Sequence, residues 1–96
     1  MNYGKPKRPR RGRSDTAQFY LNAHPACEAC NIIEAQEVHH ILTRATGGPD
    51  ENWNFLALCR ADHMIFHQLG RRAFAQRFPA LAQKIEEACK TGGRKF

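Results

Sequence analysis

"AQEVHHILTRATGGPDENWNFLALCRADHMIFHQLG", residues 35–70, decides how this chain is read. Its opening, "AQEVHHIL" (35–42), sets Val38, Ile41 and Leu42 around the adjacent pair His39 and His40 and predicts a strand. "TRATGGPDE" (43–51) contains Gly47, Gly48 and Pro49 and predicts a loop. "NWNFLALC" (52–59) predicts a second strand, with Trp53, Phe55 and Ala57 on one side. From Asp62 the spacing turns helical, carrying His63, Ile65, Phe66, His67 and Leu69 and ending near Gly70. The order strand, loop, strand, helix predicts a β-hairpin closed over by a helix.

Two adjacent histidines on a strand require a reason. Neighbouring strand residues point to opposite faces. Both can serve one reaction only where the strand ends or bulges, and the glycines just downstream fit such an exit. His63 and His67 are four apart on one helix, so they share a face and can bind one cation together. His39 or His40 can supply a third ligand from the strand, leaving open positions for water and substrate. A lone histidine is more often an ordinary core or surface residue. The set as a whole points to a metal. Asn54 lies in the second predicted strand, and its amide can donate and accept at once. Its expected role is to tie down the loop that carries the histidine pair.

The cysteines extend the pattern. "CEAC" (27–30) reads as a tight turn of knuckle type, so Cys27 and Cys30 can share a metal, and Cys59 closes the second strand. Zinc takes four ligands in a tetrahedron. The fourth falls on Asp62 by C-x-x-C-like spacing, with His63 the rival one residue on. Cys89 sits on a helical apolar face and reads as core. The N-terminus is basic but has no apolar signal-peptide stretch, and no run approaches a membrane span. The expectation is therefore an intracellular, cytoplasmic protein whose cysteines bind metal rather than form disulfides.

Around this centre the chain reads as one small domain of 96 residues. Residues 1–14 hold Lys5, Lys7, Arg8, Arg10, Arg11 and Arg13 and no acid, while the rest is balanced, so the tail supplies the whole formal charge of +6. Such a segment cannot bury enough apolar surface to order itself and reads as disordered. Its natural partner is a polyanion, since Lys and Arg displace counterions from phosphates. Residues 15–91 form the expected domain. Ser14 or Asp15 caps a helix, "TAQFYLNA" (16–23), and His24-Pro25 stops it. "RRAFAQRF" (71–78) adds a helical turn or two. Pro79 opens a last helix, "PALAQKIEEACK" (79–90), and residues 92–96 read as a flexible end. Arg44 and Arg60 flank the histidines and, with Arg8, Arg10, Arg11 and Arg13, are candidate DNA contacts. Arg71 and Arg72 are further ones. A core this small often needs a metal staple.

His39-His40, Asn54 and His63 stand in the order found in the HNH (ββα-metal) endonucleases, which this sequence resembles over roughly residues 18–78. The knuckle makes it similar to the zinc-containing branch common in phages and prophages. The series His39-His40, Asn54, His63, His67 is also similar to that of the colicin nucleases, which lack the cysteines. The resemblance implies an α+β fold in which a β-hairpin packs on a helix, with a zinc knuckle and flanking helices. It implies His40 as general base, and His39, His63 and His67 as ligands of a catalytic divalent metal (magnesium, manganese, nickel or zinc). Asn54 would hold the His40 loop, and Cys27, Cys30 and Cys59 would bind structural zinc. Relatives usually carry Cys or His at the place of Asp62, which leaves the fourth zinc ligand open between Asp62 and His63. If His63 served zinc, the catalytic metal would keep only His39 and His67. The implied function is DNA phosphodiester hydrolysis with low sequence preference, in recombination or DNA processing. Any specificity would come from a protein partner. Two other readings stand beside it: a non-catalytic zinc module that binds nucleic acid, and a ribonuclease on the same scaffold.

Overall fold

A computed structural model describes residues 13–96. Helix α1 (Asp15–Ala23) begins where Ser14 accepts a hydrogen bond from the Ala17 N–H, and it ends at His24, ahead of Pro25. A knuckle follows, held by an isolated bridge between Ala26 and Glu34 and by the Cys27 N–H on the Ile33 carbonyl. Strands β1 (Glu37–His40) and β2 (Phe55–Leu58) pair antiparallel, with His39 opposite Leu56 and His40 opposite Phe55. Helix α2 (Arg60–Leu69) comes directly after β2. Then come α3 (Arg71–Arg77), a 3₁₀ turn (Pro79–Leu81) and α4 (Ala82–Thr91). Among the described residues the architecture is a two-stranded sheet with four helices, and no helix is long and apolar enough to cross a membrane.

The sheet is covered on both faces. Phe55 and Ala57 turn toward α1 and pack with Ala17, Tyr20 and Leu21, joined by Val38 of β1. Leu56 and Leu58 turn the other way, toward Phe66, Phe74, Leu81, Ile85 and Ala88. All four residues of β2 are therefore buried. Each large side chain so buried is worth about 1.5–3 kcal/mol. Period-2 alternation then assigns β1: Glu37 and His39 share the α2 face, and Val38 and His40 the α1 face. Ala57 has polar backbone groups that β1 does not take. Glu28, inside the C-x-x-C turn, meets both: its N–H donates to the Ala57 carbonyl, and its Oε2 accepts from the Ala57 N–H at 2.7 Å. The same carboxylate accepts from the Tyr20 hydroxyl. The knuckle is thereby fixed to the sheet.

Both strands are shorter than the sequence predicts, and both shortenings meet at Asn54. The 35–42 strand stops at His40: the Ile41 N–H makes one more backbone bond, to the Asn54 carbonyl, and then the Leu42 N–H and carbonyl turn to the Asn54 side-chain amide. The 52–59 strand starts only at Phe55 because Asn52–Asn54 coil into a 3₁₀ turn, with the Asn54 N–H on the Glu51 carbonyl. Asn54 and Trp53 thus lie before β2 and not in it. Helix α2 begins at Arg60, ahead of the expected Asp62, with Cys59 as its cap residue. The end expected to be loose lies against the body: Phe96 packs on the core, and Arg71 donates to the Lys95 carbonyl. Of the two expected caps, Ser14 and Asp15, Ser14 caps α1 and Asp15 is its first residue. The expectations for residues 1–12, including Arg8, Arg10 and Arg11, fall outside the described residues.

Candidate metal centres and the cleft between the strands and α2

Helix α2 carries parts of two clusters. Cys59 caps it and Asp62 lies three residues on, the spacing that brings a cap side chain beside the third helical position. The knuckle brings Cys27 and Cys30 to the same place. One ligand atom from each of Cys27, Cys30, Cys59 and Asp62 lies within 4.8 Å of the others. Ligands on a tetrahedral zinc are roughly 3.3–3.8 Å apart, so this set can close on an ion with little adjustment. Asp62 Oδ2 accepts from the Cys27 thiol at 3.2 Å and from the Cys59 thiol at 3.4 Å. Burial pushes the Cys27 thiol up to about 12 and raises Cys59 as well. A metal entering here must displace those protons, so its binding releases them. Three sulfurs and one carboxylate suit a borderline-soft cation. Cys89 is buried in the core, apart from this group.

His63, one residue after Asp62, belongs to a different cluster. His39, His63 and His67 also offer ligand atoms within 4.8 Å of one another. His39 comes from β1, and the i, i+4 pair comes from the facing side of α2. The His63 and His67 Nε2 atoms are 3.1 Å apart. Nitrogens sharing one cation at bond lengths near 2.05 Å lie about 2.9–3.4 Å apart. His39 is only 3 % exposed, with its ring centroid 3.9 Å from that of Phe66, and its Nε2 is buried without a hydrogen-bond partner. A buried polar atom left unpaired costs about 1–3 kcal/mol, and a cation satisfies it. Burial, with the neighbouring imidazoles adding to it, holds His39 down to about 3, so the ring is neutral, the form that ligates. Glu37, two residues earlier on the same strand face, takes His63 Nδ1 at 2.8 Å. Nδ1–H donates to that carboxylate, which leaves Nε2 with its lone pair toward the cluster.

His40 reaches the same cleft from the end of β1. A cavity of about 280 Å³ is lined by His39, His40, Thr43, Arg44, His63 and His67. His40 Nε2 lies 2.6 Å from Asp50 Oδ1, and this hydrogen bond is the main cause that holds the Asp50 carboxyl below its ordinary value. A carboxylate only accepts, so Nε2 carries the hydrogen and Nδ1 is the basic nitrogen. Asn54 is fully buried. Its Oδ1 accepts from the Leu42 N–H at 2.8 Å, and its Nδ2 donates to the Leu42 and Pro49 carbonyls, each at 3.0 Å. Three bonds from one amide pin both ends of the loop between His40 and Asp50. Gly48 belongs to the same constriction, since a Cβ there would lie 1.7 Å from the Leu42 carbonyl oxygen.

Arg44 lines the cleft, whereas Arg60 is exposed at the start of α2 and its N–H bonds to Gln36. Arg13 donates to Gln18 and to the Gln36 carbonyl. Arg71 lines a neighbouring cavity, and Arg72 is exposed. Sequence reasoning passed over Glu37 and Asp50. Glu37 carried a signal, because a strand places residue 37 on the face of residue 39. Asp50 carried none beyond its turn composition.

No family model matches this sequence, and no solved structure matches it. The chain is similar to an uncharacterised 38.5 kDa protein in psbA intron 1 of Chlamydomonas moewusii, with 48 % identity over 33 residues. The match takes in 34 % of this chain and 10 % of that protein, so the likeness is that of a segment.

Proposed function

We propose that this chain is a metal-dependent endonuclease of HNH type that hydrolyses DNA phosphodiester bonds with little sequence preference. One observation supports the reading above the rest. The unpartnered His39 Nε2 stands beside the Nε2 atoms of His63 and His67, on a cleft that His40 also lines. The similar protein is itself uncharacterised, so the reading rests on this geometry.

The donor sets fit two different ions. Cys27, Cys30, Cys59 and Asp62 would hold structural zinc. His39, His63 and His67 would hold a divalent ion with positions left open. When bound, that ion supplies positive charge where the phosphoryl and leaving 3′ oxygens become more negative. The chain's own residues supply the rest. His40 Nδ1 accepts a proton from the attacking water, while Asp50 keeps the ring in the required tautomer and orientation. Asn54 fixes the loop that joins them. Attack in line with the leaving 3′ oxygen gives 5′-phosphate and 3′-hydroxyl ends. The basic residues 5–13 add affinity that does not depend on sequence.

The test uses supercoiled plasmid and labelled RNA, each with magnesium, manganese, nickel or zinc and with chelator. The expected result is plasmid nicking that chelator abolishes. His40→Ala should lower it by about a hundred- to ten-thousandfold with metal content unchanged. Cleavage of RNA alone makes the chain a ribonuclease. A folded, metal-loaded protein that binds plasmid and cuts neither substrate is a binding module, and the proposal fails. Normal cutting by His40→Ala would remove that residue from its role.

A further inference from the structure

The space around the histidines does not stop at them. A second cavity of about 190 Å³ is lined by Ile41, Phe66, Gly70 and Arg71, and it shares His39, Thr43 and His67 with the first. The shared walls make one groove. The histidine cluster lies in its middle, Arg44 on one side and Arg71 on the other. Among the described residues no carboxylate lines either cavity, and the two nearby ones, Glu37 and Asp50, are paired with His63 and His40. A groove with cationic walls and no acid concentrates anions.

The two arginines are linked through the C-terminus. Arg71 Nε and Nη2 both donate to the Lys95 carbonyl, at 3.2 and 2.7 Å. The Arg94 N–H bonds to the Cys89 carbonyl, and its guanidinium donates to the Thr46 carbonyl, in the turn that starts at Arg44. Phe96 anchors the segment on the core. Residues 94–96 thus run as a strap from Arg71 to the turn bearing Arg44. The Arg71 side chain also meets the buried Cys89 thiol. A guanidinium has five N–H donors, so these two partners orient Arg71 and still leave donors for a phosphate.

We propose that this groove takes the sugar–phosphate backbone of one nucleic-acid strand across the histidine cluster. Arg44 grips a phosphate on one side of the reacting one, Arg71 grips a phosphate on the other, and the C-terminal strap holds the two at a fixed separation. Guanidinium forks match phosphate oxygens two at a time, which suits positioning as well as attraction. The assignment rests on the nuclease reading for what happens at the centre of the groove, and it adds a separate claim about binding.

The experiment measures anisotropy of a labelled single-stranded DNA, and of RNA of the same sequence, bound to full-length His40→Ala protein over a salt series. Arg44→Gln and Arg71→Gln should each weaken binding roughly three- to tenfold. Each should also flatten the plot of log affinity against log salt by about 0.7. Arg77→Gln, on α3 beside Phe78 and away from the groove, should change neither. Arg71→Lys keeps the charge and loses the fork, so it should restore the slope but not the full affinity. That result separates phosphate binding from a fold defect in Arg71→Gln. An unchanged slope in the Arg44→Gln, Arg71→Gln double variant overturns the proposal. So does a loss confined to DNA or to RNA, because the two share the phosphates that the arginines would grip. A wild-type chain that cuts nothing defeats the nuclease reading instead, and leaves the salt slope to decide the groove.

Discussion

Asp62 and His63 are consecutive residues in the first turns of one helix, yet they serve two clusters built on opposite terms. The cysteine cluster is closed. Four protein groups converge, three of them buried, and Asp62 already bonds to two of the thiols. The histidine cluster is open. It offers three groups that grade from buried His39 to exposed His67, and it faces a cleft. A complete ligand shell gives an ion nothing to do but hold the chain together. An incomplete one beside a basic histidine leaves room for substrate. The local environments follow from position: the cysteines sit where the knuckle meets the sheet, and the histidines where β1 ends and its loop turns away.

The contrast can be broken experimentally. The largest effect is expected at the closed cluster. Cys27→Ser, or stripping of its metal by a strong chelator, should remove the cross-link between knuckle and α2. For a domain this small that means loss of several kcal/mol and of the cooperative melt, read by calorimetry together with metal content. A variant melting like the wild type would show that the cysteines are ordinary core. A smaller, local effect is expected at the open cluster. Glu37→Gln weakens the partner that orients His63 and should lower metal affinity there by about 10–100-fold, while the cysteine site keeps its ion. Competition with a chromogenic chelator separates the two sites, and equal loss at both would merge them. The smallest effect on folding is expected from His39→Leu. It replaces a buried unpaired imidazole by an apolar side chain of similar size, so metal-free stability should change by no more than about 1 kcal/mol, in either direction. Binding at the histidine site should nevertheless be lost. A large destabilisation would mark His39 as a structural residue.

Much of the candidate site was legible because its spacings are local. The i, i+4 pair on α2, the C-x-x-C turn, the adjacent His39-His40 pair and the helix ending at Gly70 each follow from periodicity or turn chemistry within a few residues. The strand limits were not legible. What ends β1 is the Asn54 side chain bonding to Leu42, 12 residues away, while the Asn54 N–H turns back to Glu51 and delays β2. The choice between Asp62 and His63 was likewise open, since both lie at workable spacing from Cys59. Only the position of the knuckle against the helix separates them.

By itself the sequence determined the parts: a hairpin and helix, two groups of side chains able to ligate a metal and an uneven charge. It did so because alternation, helical period and turn residues act over short distances. The tertiary structure decided which parts meet. It put Asp62 with sulfur and His63 with nitrogen, set Asp50 on His40, and laid the C-terminus between Arg71 and the turn of Arg44. Local spacing offered Asp62 and His63 their partners without choosing between them; the choice, and the other two pairings, depend on how faces pack across the chain.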